Sequence, residues 1–172
     1  SKKMIKTGYP RIDEFAGGLT RGEISIVGGR PGHGKTTFLV NLLVSLIGKG
    51  YKVAVFNREL PNTEVLKKMV CIEEPKLNYG DVRRGTLSES TIELLRGVQE
   101  KINKKYSEDK FVMFDDVRDF PKTASEVKKF KPDVIIDDYI QLITPSTRQE
   151  TRRLQLEEIC NSYKWLAKEN AK

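Results

Sequence analysis

The stretch Gly29-Arg30-Pro31-Gly32-His33-Gly34-Lys35-Thr36 joins glycines, a lysine and a hydroxyl at the spacing G-x-x-x-x-G-K-[ST], which suits polyphosphate binding. Glycines let the backbone wrap tightly, so that its N–H groups converge on phosphate oxygens. A helix starting at Lys35 aims its N-terminal dipole at the same anion. Lys35 supplies a mobile positive charge for the β- and γ-phosphates, the Thr36 hydroxyl can ligate magnesium, and Thr37 extends the expected nucleotide-binding set. A chance match in a glycine-rich turn is the competing explanation. The β-rich run before the loop and the apolar helical run after it favour the functional one. The expected ligands are ATP, or another nucleoside triphosphate, and Mg2+.

Triphosphate hydrolysis also needs a carboxylate for the magnesium shell and a group that orients water. Ligands collect at the C-terminal ends of strands in open α/β sheets. Val134-Ile135-Ile136-Asp137-Asp138 offers two carboxylates there. Strand alternation sends them to opposite faces, so only one meets the metal. Periodicity does not choose between them, and the other is expected to be solvated or to cap a helix. Glu59, after Val53-Ala54-Val55-Phe56-Asn57-Arg58, could polarise the attacking water, or it could be a surface glutamate in a loop.

The elements that must position these groups alternate between β-rich and helical runs. The pattern predicts an α/β fold with a mainly parallel β-sheet flanked by helices. Strands are expected at Glu23 to Val27, Lys52 to Asn57, Phe111 to Phe114 and Asp133 to Asp138, the last suited to a central position. A buried helix from Thr36 to Ile47 carries Phe38, Leu39, Leu42, Leu43, Leu46 and Ile47 at helical spacing and stops at Gly48-Lys49-Gly50. Asn62-Thr63 is expected to cap a helix running through Val65, Leu66, Met69 and Val70. Further helices are expected over Ser88 to Lys104, Ser125 to Phe130 and Thr151 to Lys168, with Leu154, Leu156, Ile159, Tyr163, Leu166 and Ala167 packing in the last.

Length and composition set the frame. The 172 residues fit one domain, 1–172, and 38% hydrophobic against 32% charged content gives enough apolar side chain for a core. The net charge of +7 permits nucleic-acid binding without requiring it. The clusters Lys101, Lys104, Lys105 and Lys128, Lys129, Lys131 are expected to be solvated faces. Cys71 and Cys160 are far apart and read as isolated reduced thiols on helices. With His33 as the single histidine, a metal site of the His/Cys kind is not expected. No apolar run approaches the ~18 residues of a membrane span, and a cytoplasmic location is expected.

Four segments together resemble the RecA-like motor domain of the DnaB-type replicative helicases. They are Thr7-Gly8-Tyr9-Pro10-Arg11-Ile12-Asp13 through Gly17-Gly18-Leu19 to Gly22-Glu23, the loop with its Arg30-Pro31 pair, Val53-Ala54-Val55-Phe56 followed by Glu59, and Asp138-Tyr139-Ile140-Gln141-Leu142. The last is the most discriminating, because a generic ATPase strand does not require Tyr-x-Gln-Leu. The resemblance implies that Glu59 activates water, that Asp138 rather than Asp137 organises magnesium, and that Gln141 senses the γ-phosphate. Two positions depart from the family's usual pattern or role. Asn57-Arg58 stands where small or apolar residues are usual, and His33 fills a variable loop position without a catalytic role. The resemblance further implies a homo-oligomeric, hexameric ring on single-stranded DNA, contact with primase, and a bacterial or phage source. It implies that the chain, from Ser1 to Lys172, is a fragment lacking the DNA-contacting loops and the arginine finger. A RecA-like ATPase of recombination or clock type, without unwinding, is the alternative, against which Tyr139-Ile140-Gln141-Leu142 argues. A nucleotide-binding module without turnover is the third possibility.

Overall fold

The computed structural model describes residues 4–30, 32, 34–144 and 151–170. A short antiparallel pair, β1 (Met4–Ile5) and β2 (Leu19–Thr20), brackets helix α1 (Pro10–Ala16). The opening turn is tied by Asp13, whose carboxylate accepts from the Thr7 N–H, the Thr7 hydroxyl and the Gly8 N–H at 2.8, 2.8 and 3.0 Å. Gly8 has φ +85°, and a Cβ there would lie 2.2 Å from the Ser45 hydroxyl oxygen. That hydroxyl donates to the Thr7 carbonyl at 2.8 Å, so the opening segment is fastened to α2 (Lys35–Gly48).

After α2 the chain runs through β3 (Val53–Asn57), α3 (Asn62–Glu73), α4 (Tyr79–Arg84), α5 (Glu89–Lys105), β4 (Phe111–Phe114) and α6 (Phe120–Phe130). It continues with β5 (Val134–Asp138), a 3-10 turn (Ile140–Leu142) and α7 (Arg152–Asn170). Among the described residues β3 is central, with β4 and β5 parallel on either side. All of β3 is buried, as a strand covered on both faces must be. Alternation splits its side chains. Val53 and Val55 join Leu43, Leu46, Ile47, Met69 and Ile136 in one core, towards α2 and α3. Ala54 and Phe56 join Val117, Val127, Ile159 and Leu166 in another, towards α6 and α7. The α/β architecture with a parallel sheet is therefore as expected. No described helix is long and apolar enough to cross a membrane.

Several local expectations need correction. Residues 23–30 form no strand, and Ile24, Ile26 and Val27 are 37%, 73% and 43% exposed. A strand exists through its ladder, and no described segment pairs with this one. β5 lies at the sheet edge rather than its centre among the described residues. Asn62 does not cap α3 but is its first residue. Its N–H donates to Asp115 at 2.7 Å, so a carboxylate from beyond β4 serves that helix end. α6 starts earlier than expected, at Phe120, because Asp119 caps it by accepting from the Lys122 N–H at 2.8 Å. Leu66 and Leu154 are exposed rather than packed. Cys71 and Cys160 are free on α3 and α7, and burial raises both thiol pKa values.

Of the clustered lysines, Lys101, Lys104, Lys128, Lys129 and Lys131 are exposed as expected, and Lys105 is partly buried. Lys128 reaches Glu169 at 3.9 Å and lies over Trp165. Lys105 and Lys101 both pair with Glu73, a carboxylate only 5% exposed at the end of α3. The Tyr106 hydroxyl donates to the same carboxylate at 2.6 Å. Burial works against the charged form of Glu73, but hydrogen bonds from Lys105 and Tyr106 and the nearby ammonium charges outweigh it. The net effect holds Glu73 below its ordinary value of 4.5. Its contribution to stability is thus fully present above pH 4.5 and is lost as pH falls below that through the lowered folded value. Glu73→Gln is expected to cost about 1–3 kcal/mol at neutral pH and to flatten the acid limb of stability, as read by urea unfolding across a pH series.

Candidate functional site

Gly34 is the residue before α2 and has φ +81°, a left-handed conformation that turns the loop into the helix. The turn leaves Lys35 and Thr36 in the first turn of a helix anchored by Val40, Leu42, Leu43, Leu46 and Ile47. The Thr36 hydroxyl donates to Asp138 Oδ2 at 2.9 Å, across 102 residues of sequence. Lys35 Nζ stands 3.4 Å from Asp138 Oδ1 and 4.1 Å from the centre of the Tyr139 ring. The loop end and the end of β5 thus meet at one carboxylate.

Asp138 is 7% exposed, and its Oδ1 is buried without a hydrogen-bond partner. The lysine nearby gives it charge but not an aligned bond. A buried anionic oxygen with a free lone pair, beside a threonine hydroxyl, fits a hard divalent cation that completes its shell with phosphate oxygens and water. The described residues hold no group of three or more His, Cys, Asp or Glu that could cage an ion. A cavity of about 580 Å³ adjoins the site and is lined by Gly28, Gly29, Lys35, Asp138, Tyr139 and Gln141 among others.

The residues singled out in the sequence fall into groups. Lys35, Thr36 and Asp138 are in contact, and Gly29 and Gln141 line the same cavity. Arg30, Gly32, Gly34 and Thr37 are exposed along the loop and first helical turn, and Pro31 and His33 lie outside the described residues. Glu59 is exposed just past β3 and is not among the residues lining that cavity. Register pairs Asn57 with Asp138, so Glu59 leaves the same end of the sheet as the carboxylate.

Asp137 departs from expectation. It is neither solvated nor a helix cap. It pairs with Arg58 in the core on the far face of the sheet, at 2.8 Å, where the two side chains are 7% and 1% exposed. The Tyr163 hydroxyl donates to the same carboxylate. Burial opposes the Arg58 charge, but the bonds and charge of Asp137 more than compensate and raise its pKa. Burial, reinforced by Asp137, pushes the Tyr163 phenol well above its ordinary value. A charged residue just past an otherwise apolar strand, and two consecutive aspartates ending a later one, were the only signals of this pair. They named no partner.

The arrangement is that of a P-loop nucleoside-triphosphate-binding domain with a RecA-like core. A profile of the DnaB-like helicase C-terminal domain matches residues 4–171, and the chain belongs to that family. It is 28% identical over 169 residues to a replicative DNA helicase DnaB of Helicobacter pylori, covering 96% of this chain and 34% of that protein. It is 30% identical over 175 aligned residues to the replicative DNA helicase DnaB of Buchnera aphidicola, covering 96% and 37%. The chain therefore spans about a third of the length of these relatives. Two solved structures share the fold. One is a DnaB-like replicative helicase studied for its interactions with primase (TM-score 0.84, 19% identity, 98% of this chain and 41% of that one). The other is a separately solved ATPase domain (TM-score 0.82, 21% identity, 98% and 61%). The family match favours the helicase reading over the recombination or clock type.

The Gly34 geometry yields a prediction separate from any catalytic role. A Cβ at Gly34 would meet nothing within 4 Å, so only its backbone conformation resists substitution. Gly34→Val is expected to weaken nucleotide affinity roughly tenfold, matching the 1–2 kcal/mol of a left-handed L-residue. The unfolding midpoint should move little, because the position is exposed. Calorimetric titration beside thermal melting checks both.

Proposed function

We propose that this chain is the ATP-binding and ATP-hydrolysing motor domain of a DnaB-like replicative helicase, which separates duplex DNA by moving on single-stranded DNA. The observation that carries the proposal is the 2.9 Å contact between the Thr36 hydroxyl and Asp138. It joins the phosphate loop to a strand-end carboxylate in a family whose relatives bear the name replicative helicase.

In this reading residues 1–172 act as one RecA-like unit. Gly29, Arg30, Gly32, His33, Gly34 and Thr37 cradle the phosphates with backbone N–H groups and the α2 dipole, while Pro31, which has no N–H to donate, completes the loop set. Lys35 leaves Asp138 and Tyr139 to neutralise the β- and γ-phosphates. Thr36 and Asp138 would hold Mg2+, which would supply charge neutralisation on the phosphate oxygens. Glu59 accepts the proton of the attacking water. Gln141, on the turn beyond Tyr139, senses the γ-phosphate. The full protein assembles as a homo-oligomeric, hexameric ring in the cytoplasm of a bacterium or of a phage host and engages primase.

In the full-length protein, Lys35→Ala is expected to abolish nucleotide binding in calorimetric titration. A variant that binds ATP as the parent does would refute the loop assignment. Glu59→Gln should retain ATP binding and lose turnover by about 10²–10⁴-fold, the range of a general base. ATP turnover that single-stranded DNA does not stimulate, with no strand separation on a forked substrate, would overturn the motor reading.

A further inference from the structure

Arg58 engages all three guanidinium nitrogens. Its Nε and Nη2 donate to the two oxygens of Asp137 at 3.1 and 2.8 Å, a fork on a fork. Nη1 donates to the Val117 carbonyl at 2.8 Å. Nη2 also reaches the Thr123 hydroxyl at 3.1 Å and the Tyr163 hydroxyl at 3.4 Å. The Arg58 N–H donates to the Asp138 carbonyl at 2.8 Å, which extends the β3–β5 ladder one step past β3. One side chain thus binds the end of β5, the segment after β4, α6 and α7.

Stability alone is a poor reason for this cluster. Desolvating two charges is expensive, and buried pairs are often replaced by apolar residues without loss. A bidentate fork adds fixed direction and distance. Here it fixes the residues adjacent to Glu59 on one strand and Asp138 on the other. We infer that Arg58, through its buried pairing with Asp137, is a positioning residue for hydrolysis, setting Glu59 against the Asp138 and Thr36 side of the site. This inference rests on the hydrolase reading proposed above.

The test uses full-length protein and three variants. The double variant Arg58→Met/Asp137→Leu removes both charges and keeps the volume, and Arg58→Lys keeps a charge without the fork. Glu59→Gln serves as the control. ATP turnover, affinity for a fluorescent ATP analogue with and without Mg2+, and thermal melting are measured on each. The double variant is expected to melt at or above the parental temperature and to bind the analogue within about twofold of the parent. Its kcat should fall by about 10²-fold, the cost of a misplaced reacting group. Arg58→Lys should lower kcat with affinity likewise unchanged. A role confined to stability predicts the reverse pattern for the double variant. Parental kcat in the folded double variant overturns the inference, as does a fall in affinity that matches the fall in kcat, or loss of the fold in both Arg58 variants. If the parent does not turn over ATP, the hydrolase reading fails and this inference falls with it; if Glu59→Gln turns over ATP like the parent, Glu59 is not the base and the positioning inference is overturned. If Glu59→Gln is inactive while the Arg58 variants keep parental kcat, positioning alone is refuted.

Discussion

The parallel ladder between β3 and β5 decides where each carboxylate at this end of the sheet can go. Val53 pairs with Val134 and Asn57 with Asp138, and the register holds from end to end. Side chains alternate across a strand, so consecutive residues must serve opposite faces. Asp138 therefore falls on the α2 side with Val53, Val55 and Ile136, and Asp137 on the side of Ala54 and Phe56. A slip of one residue would exchange them, placing the paired aspartate against Thr36 and the open one in the core. Among the described strands, β3 alone pairs with both β4 and β5.

The two faces solve different electrostatic problems. On the α2 face, Asp138 keeps an oxygen without a hydrogen bond, next to a lysine ammonium. An unsatisfied buried oxygen destabilises the fold by about 1–3 kcal/mol unless something binds it. On the other face, Asp137 is saturated by Arg58 and Tyr163, and the surroundings are closed by Val117, Phe120 and Ile159. The Phe120 ring meets Tyr163 edge-on at 5.0 Å, which fixes the phenol that completes the cluster. One aspartate is left available and its neighbour is consumed, and the difference comes from strand alternation alone.

The parts of this structure that could be read in advance are those encoded locally. The α2 stripe from Val40 to Ile47 and the run Val53-Ala54-Val55-Phe56 carry their own periodicity, and the loop carries its own spacing. What could not be read depends on partners distant in sequence. The cap of α3 comes from Asp115, which no local motif near Asn62 announces. Residues 23–27 alternate like a strand, yet alternation specifies a face and not a neighbour, and these residues have no ladder among the described ones. Choosing Asp138 over Asp137 required knowing which face α2 covers, a tertiary fact. The resemblance to a family supplied that choice without its reason.

Arg58 shows why a departure from an expected pattern can matter more than a match. An apolar residue at that position would pack against Phe56, Val117 and Tyr163 by shape alone, and such packing tolerates small rotations. A guanidinium with five donors in a plane does not, because each donor has one direction of good alignment. The bonds to Asp137, Val117 and Thr123 run to three separate segments, so a shift of β3 against β5 strains several at once. The stiffness lies one residue from Glu59 and, through Asp137, one residue from Asp138. A site of the proposed kind, bringing a water, a phosphate and a cation into line, would need its carboxylates held to fractions of an ångström. A charged pair on the hidden face of the sheet can supply that restraint without entering the site itself.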